Sequence, residues 1–161
     1  MAKPMREIAG LGPNDLTDEL LTGTQPVVLR GLAASWPLVR AARESDQQAD
    51  AYLRRHYNDA TVGAMLTAPE AGGRFFYNDD VSGFNFQPVY AKLNGVLDEI
   101  EAKRHLDHPP TVYVGSTSVE TCLPGLRAEN DLGFGARNPL MSIWIGNRTR
   151  IAAHYDLPPL R

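Results

Sequence analysis

The sequence is short of the features that mark disulfide-rich, membrane-spanning and nucleic-acid-binding proteins. Its single cysteine, Cys122, can form neither an internal disulfide nor a cysteine zinc cluster, and we interpret it as a small buried side chain. No apolar run approaches the ~18 residues that a membrane helix needs, and residues 1–16 lack the apolar segment of a signal peptide. The net charge of -3 predicts no basic surface for nucleic acid. We therefore expect a cytoplasmic protein without membrane or nucleic-acid partners.

The length and composition are those of an ordinary globular domain. The chain has 161 residues, of which 43% are hydrophobic and 22% are charged. A chain of this size buries a substantial core. We therefore expect residues 1–161 to form one domain.

Local signals predict three helices. Asn14 or Asp15 can cap a short helix that runs through Leu21 and ends at Gly23. Ser45, with Gln48 in the capping-box position, predicts a helix to about His56. The third helix is predicted from Pro88, and its apolar stripe consists of Val89, Leu93, Val96, Leu97 and Ile100.

Short runs rich in β-branched and aromatic residues predict the strands. They cover residues 26–30, 61–66, 74–77, 111–115 and 140–145. Residues 121–138 read as irregular, and Gly146-Asn147 predicts a hairpin turn with residues 148–156 as the returning strand. The succession of helices and paired strands predicts an α+β fold.

The most informative residues are His154, Tyr155 and Asp156. On an extended strand, His154 and Asp156 point to one face and Tyr155 to the other. An imidazole and a carboxylate on one face supply two of the three ligands of the 2-His-1-carboxylate site of non-haem iron enzymes. The spacing alone is also compatible with an ordinary surface or core His-Asp pair.

The other three histidines have local interpretations. His56 ends a predicted helix, where a cation favours the helix dipole. His105 and His108 flank a helix end beside Pro109-Pro110, so that no rigid face carries them together. We interpret all three as solvated or capping residues.

Several segments together resemble the cupin-like, JmjC-related family of iron(II)- and 2-oxoglutarate-dependent oxygenases. The similarity spans roughly residues 24–157, and its order and spacing also resemble the asparaginyl hydroxylase that modifies hypoxia-inducible factor. The segments are PVVLRG (26–31), WP (36–37), RFFYN (74–78), NFQ (85–87), TVYVGS (111–116) and IWIGNRTRIAAHYD (143–156).

The resemblance implies a double-stranded β-helix that holds Fe(II), with 2-oxoglutarate as the co-substrate. It implies that His154 and Asp156 are metal ligands and that Tyr113 contacts a carboxylate of 2-oxoglutarate; Tyr113 as a plain core aromatic is the alternative. Ile151 stands where the hydroxylase has a threonine, and its side chain cannot donate a hydrogen bond. The implied activity is hydroxylation of a protein side chain or of a small molecule.

The family also needs a second histidine far downstream, whereas the sequence ends at Arg161. We therefore expect an incomplete barrel, in a truncated chain that is inactive alone. Two other classes of function stay open: a non-catalytic cupin-like module that binds a ligand or peptide, and an interaction fragment that dimerises through the stripe of the third helix. A zinc hydrolase would need a general base, which is not seen near the motif. Arg148 and Arg150 are expected on a solvated face, where they can steer an anionic co-substrate.

Overall fold

The computed structural model describes residues 4–152. They form two compact units, one from residues up to Asn58 together with Ser118–Met141, the other from Asp59–Thr117 together with residues from Ser142 onward. In chain order the elements are β1 (Arg6–Ala9), α1 (Asp18–Thr22), β2 (Val27–Arg30), α2 (Pro37–Glu44), α3 (Asp46–His56), β3 (Thr61–Thr67), β4 (Arg74–Phe75), β5 (Gln87–Lys92), α4 (Leu93–Lys103), β6 (Thr111–Ser118), α5 (Val119–Cys122), α6 (Leu126–Glu129), β7 (Ser142–Gly146) and β8 (Arg150–Ile151).

The general α+β prediction is confirmed. Helices and strands are mixed, and the main sheet is antiparallel where its register is defined. Among residues 4–152 the strands do not close into a barrel. No helix in this part of the chain has the length and apolar character needed to cross a membrane.

The first unit is mainly helical, with β1 and β2 as a parallel pair. The predicted cap of α3 is confirmed, because the Ser45 side chain accepts a hydrogen bond from the Gln48 backbone N–H. The predicted cap of α1 is wrong. Thr17 caps that helix, while the Asp15 carboxylate accepts a hydrogen bond from the Gly12 N–H and closes a separate turn.

The sequence predicted an irregular segment at residues 121–138, but part of this segment is helical. It contains α6 and the end of α5, and each of these helices has only four residues, too few for an apolar period to be visible. Leu123 and Leu126 are buried between and within them. Cys122 is buried as predicted, and burial raises the pKa of its thiol.

The second unit is built on a four-stranded sheet with the order β5-β3-β6-β7. Strand β3 is antiparallel to both β5 and β6. Helix α4 contacts β3 and β5, so that the helix lies on one face of the sheet. The buried apolar side chains of these elements are Val62, Ala64, Leu93, Val96, Leu97, Val112 and Val114.

The third predicted helix begins later than expected. Pro88 and Val89 belong to β5, and α4 begins at Leu93. Strand β5 forms because its residues pair with β3 over six positions, a non-local interaction that outweighs the helical spacing of the apolar residues. Of the predicted stripe, Leu93, Val96 and Leu97 are buried in their own unit, which removes them as a free dimerisation surface.

The predicted hairpin after β7 is also wrong. Strand β8 does not return along β7 but pairs in parallel with β4, with Arg74 opposite Arg150 and Phe75 opposite Ile151. The Arg150 N–H donates to the Gly73 carbonyl at 2.7 Å, which fixes this register. Gly146-Asn147 therefore ends a strand and starts a connection to another part of the unit.

Candidate functional site

Tyr113 lies in the middle of β6, half-buried, on the sheet face opposite its neighbours Val112 and Val114. Its partner across the ladder is Met65 of β3. A Cβ atom on Gly115, two residues further along, would lie 3.2 Å from Met65 Cε. Met65 therefore covers the glycine, and the Tyr113 face of the sheet carries side chains distinct from the valine core.

Phe75 of β4 packs against this face. Its ring centroid lies 5.3 Å from that of Tyr113 and 5.8 Å from that of Phe86, and the rings are tilted in both pairs. Tilted aromatic pairs at this separation are favourable beyond the area they bury. Phe75 is itself buried, so it holds Tyr113 from one side in a fixed apolar contact.

Two of the segments that carry the family resemblance are joined by Asn85. Its Oδ1 atom accepts a hydrogen bond from the Phe76 N–H at 2.9 Å, and its Nδ2 group donates to the Arg74 carbonyl at 2.8 Å. The side chain thus acts as a strand partner for the residues around Phe75. The RFFYN and NFQ segments form one structure on the Tyr113 side of the second unit.

Strand β8 brings the chain toward this structure. Ile151 is the ladder partner of Phe75, whose ring contacts Tyr113. Ile151 is three residues before His154 in the sequence. His154 and Asp156 themselves lie outside the described residues, so their role as ligands stays a prediction.

Asn147 is a structural residue of the site that the turn signal obscured. It is only 8% exposed, and its Oδ1 atom accepts a hydrogen bond from the Val112 N–H at 2.8 Å. Its Nδ2 group donates to the Pro110 carbonyl, and its backbone N–H donates to the Val112 carbonyl. Asn147 therefore clamps the end of β7 to the start of β6, immediately before Tyr113.

Glycine is required next to this clamp. A Cβ atom on Gly146 would lie 2.8 Å from the Val112 carbonyl oxygen and 3.0 Å from Thr149 Cγ2. The Gly-Asn dipeptide, which predicted a hairpin turn, instead permits a close approach of backbone followed by a buried amide. A buried asparagine of this kind has no periodic signal in the sequence.

The three histidines in the described part of the chain have different surroundings. His56 ends α3, stacks at a tilt on Tyr52 and lies 3.9 Å from a Glu129 carboxylate oxygen. His105 accepts a hydrogen bond from Arg104 Nε, and His108 lines a cleft beside Gly73. Within residues 4–152, no group of three His, Cys, Asp or Glu side chains is placed to hold a metal ion.

The comparisons with known proteins identify a family. The sequence matches the family described as Cupin-like domain over residues 13–159, which is more than half of the chain. A search of curated proteins found none that matches. Members of the family include iron(II)- and 2-oxoglutarate-dependent oxygenases and also non-catalytic proteins. The chain therefore belongs to the Cupin-like domain family, as the JmjC-related resemblance of its segments predicted.

Proposed function

We propose that the protein is an iron(II)- and 2-oxoglutarate-dependent dioxygenase that hydroxylates a protein side chain. The observation that carries this proposal is the combination of family membership with a His-x-Asp sequence at residues 154–156, directly after the strand that pairs with Phe75. The wider family commonly binds Fe(II) with 2-oxoglutarate. We also propose that, within the family, the protein is similar to the asparaginyl hydroxylase of hypoxia-inducible factor.

His154 and Asp156 would hold the metal ion in this proposal. A neutral imidazole nitrogen and a hard carboxylate oxygen suit Fe(II), and this ligand type leaves positions open on the metal. When bound, iron and 2-oxoglutarate would use dioxygen to hydroxylate a substrate C–H bond, with succinate and carbon dioxide as the other products, while the protein orients and shields the reacting groups. The contact of Ile151 with β4 supports an extended approach to the two ligands.

Tyr113 would contact a carboxylate of 2-oxoglutarate. Its fixed apolar support from Phe75 is the arrangement expected for a side chain that must be held in one orientation, because an ordered binding group loses less entropy when the ligand arrives. Ile151, which replaces the hydroxylase threonine, cannot provide a second hydrogen bond there. We infer that Tyr113 carries a larger share of co-substrate binding in this protein than in the hydroxylase.

We also propose a domain organisation, a cellular location and a class of partner. We propose that residues 1–161 belong to a single cupin-like domain built on a double-stranded β-helix, and that the protein acts in the cytoplasm on a protein or small-molecule substrate. Neither a nucleic acid nor a membrane is proposed as a partner. A homodimer, if formed, would use surfaces other than the buried residues of α4.

The experiment is formation of succinate from 2-oxoglutarate by the protein that carries residues 1–161, supplied with Fe(II), ascorbate and oxygen. We expect Fe(II)-dependent succinate in the unmodified protein and a loss of at least a hundredfold in His154→Ala. His105→Ala is the matched control and should retain turnover, since His105 is exposed and accepts its hydrogen bond from the neighbouring Arg104. Absence of succinate from the unmodified protein, with 2-oxoglutarate still bound, would instead favour a non-catalytic cupin-like binding module.

A further inference from the structure

The second unit contains a cleft of about 410 Å³ beside the β4–β8 pair. This volume lies within the range of about 300–1,000 Å³ that is usual for sites of small molecules. The residues that shape its chemistry are Gly72, Gly73, His108, Thr111, Arg148 and Arg150. None of them has a part in the proposed co-substrate contacts of Tyr113, His154 and Asp156.

Two guanidinium groups give the cleft its charge. The Arg150 side chain has no hydrogen bond or ion pair with any described residue, and Arg148 donates only to the backbone carbonyl of Asp107, at 2.6 Å. A carbonyl acceptor orients a guanidinium without neutralising it. By contrast, Arg30 and Arg137 are both matched by a carboxylate. The cleft therefore holds two positive charges against the single carboxylate of Asp107, which also lines it.

The backbone holds this arrangement in place. Gly73 has a φ of +80°, and a Cβ atom there would lie 2.2 Å from the Arg148 carbonyl oxygen. The segments that lead into β4 and β8 thus approach each other more closely than any side chain at Gly73 would allow. This contact, with the bond from the Arg150 N–H to the Gly73 carbonyl, fixes the segment from which both arginine side chains project.

Hydroxyl groups complete the lining. Thr111 and Thr149 both border the cleft. Hydroxyl donors beside two guanidiniums form a set of groups that suits oxygen atoms carrying negative charge.

We propose that this cleft binds a small oxyanion, a carboxylate or a phosphate, between Arg148 and Arg150. Arginine forms paired hydrogen bonds with the oxygen atoms of either group, which is the chemistry the two ligands share. A polyanion is disfavoured, because nucleic-acid binding needs an extended basic surface and the chain carries a net charge of -3. The proposal does not depend on iron chemistry.

The test is titration of the metal-free protein with inorganic phosphate and, separately, with succinate, in EDTA and at an ionic strength held constant with sodium chloride. We expect saturable millimolar binding of at least one of the two anions, observed by calorimetry or by amide NMR shifts of Gly73 and Thr149. Saturation by phosphate alone assigns a phosphorylated ligand, and saturation by succinate assigns a carboxylate.

Arg150→Ala should weaken this binding at least fivefold, because one of the two guanidiniums is lost. Its melting temperature should be unchanged, since the Arg150 side chain has no partner among residues 4–152. Arg43→Ala is the matched control: it removes the same charge from an exposed position on α2, and it should leave binding unaltered. Arg150→Lys keeps the charge and loses the forked donors, so it should bind with intermediate affinity and serves if the alanine variant unfolds.

Any of three results would overturn the proposal. The first is a response to phosphate and succinate no larger than the response to sodium chloride of equal ionic strength. The second is equal affinity in Arg150→Ala and the unmodified protein. The third is a loss of affinity in Arg43→Ala as large as that in Arg150→Ala, which would show that anion binding depends on net charge alone. Because EDTA is present throughout, these results are independent of whether the protein binds iron.

Discussion

Tyr113 and Phe75 are held ring against ring, with centroids 5.3 Å apart and planes tilted by 47°. Phe75 is in turn the ladder partner of Ile151, so one buried aromatic joins β6 to the strand that precedes the His-x-Asp sequence. The two parts of the proposed site, co-substrate contact and metal ligands, are thus linked through a single side chain. Because the ring of Tyr113 makes the contact with Phe75, a mutation that removes only the hydroxyl leaves this link in place.

Tyr113→Phe should raise the dissociation constant for 2-oxoglutarate at least tenfold and leave the fold intact. The ring contact with Phe75 is retained, whereas a hydrogen bond to a charged carboxylate, worth about 1.5–3 kcal/mol, is lost. The measurement is calorimetric binding of 2-oxoglutarate in the presence of Fe(II) without oxygen. Tyr90→Phe is the control, since Tyr90 is 88% exposed on β5. Equal affinity in the two variants would show that Tyr113 is a plain core aromatic.

Gly72 and Gly73 provide a matched pair for testing the close approach of β4 and β8. Both have positive φ, but a Cβ atom on Gly72 meets open space, while one on Gly73 meets the Arg148 carbonyl. Gly72→Ala should therefore cost about 1 kcal/mol for its left-handed backbone. Gly73→Ala should cost roughly 3 kcal/mol or more, because the strand pair must also separate. Urea unfolding measures both, and equal losses would contradict the described register of β4 and β8.

Asn147→Ala should destabilise the protein by roughly 2–4 kcal/mol, because it leaves the Val112 N–H and the Pro110 carbonyl without their partner. The clamp also positions the start of β6, so amide exchange at Val112 should become faster. Asn94→Ala is the control at an exposed position of α4, where a small gain in stability is expected from helix propensity. A loss in Asn147→Ala no larger than that of a typical exposed residue would count against the buried clamp.

The hydroxyl of Tyr52 predicts a pH dependence of stability in the first unit. Burial first, and then its 2.6 Å hydrogen bond to Glu129, raises the pKa of Tyr52 above its ordinary value of 10.0. A group with a raised pKa in the folded state stabilises the fold below the pKa of the unfolded state, and this contribution is lost as pH rises through the folded-state value. The same hydrogen bond lowers the pKa of Glu129, so a second contribution is lost as pH falls below the ordinary carboxyl range.

Tyr52→Phe should therefore be less stable near neutral pH by about 1 kcal/mol and should show a flatter profile at both ends of the pH scale. Thermal unfolding between acidic and alkaline pH is the measurement. Tyr77→Phe, at a half-exposed position of the second unit, is the control. If Tyr52→Phe loses stability with pH as steeply as the unmodified protein, the Tyr52–Glu129 bond has no part in the dependence.

Elements that form through interactions between neighbouring residues are predictable from the sequence, whereas elements that depend on distant partners are not. Helix α3 was predictable because Ser45 and Gln48 interact over one turn, and the β6 run was predictable from its own β-branched residues. The apolar spacing of β5 predicts a helix because its pairing with β3, whose partners range from Leu66↔Gln87 to Thr61↔Lys92, is not visible in that spacing. A short stretch of sequence indicates which secondary structure its neighbouring residues favour. Which distant segment supplies the hydrogen bonds of a strand is determined by the tertiary fold.

The candidate site was predictable to a similar degree. The family resemblance points to Tyr113, on a strand that its own β-branched residues predict, and the structure joins this strand to the RFFYN and NFQ segments through Phe75 and Asn85. The connection through Asn147 was not predictable, because Gly-Asn is a common turn signal and a buried amide clamp leaves no pattern. The parallel pairing of β8 with β4 was not predictable either. It depends on the close approach of Gly73, which has no side chain, to the carbonyl of Arg148.

The proposed activity requires that His154 and Asp156 bind one iron ion together with 2-oxoglutarate. The most direct measurement is an anaerobic titration of the protein carrying residues 1–161 with Fe(II) and 2-oxoglutarate, followed by the visible charge-transfer absorption of the iron–oxoacid complex. We predict that the band saturates at one iron per chain and is lost in both His154→Ala and Asp156→Ala, while His108→Ala retains it. A band of unchanged strength and affinity in His154→Ala would contradict the account.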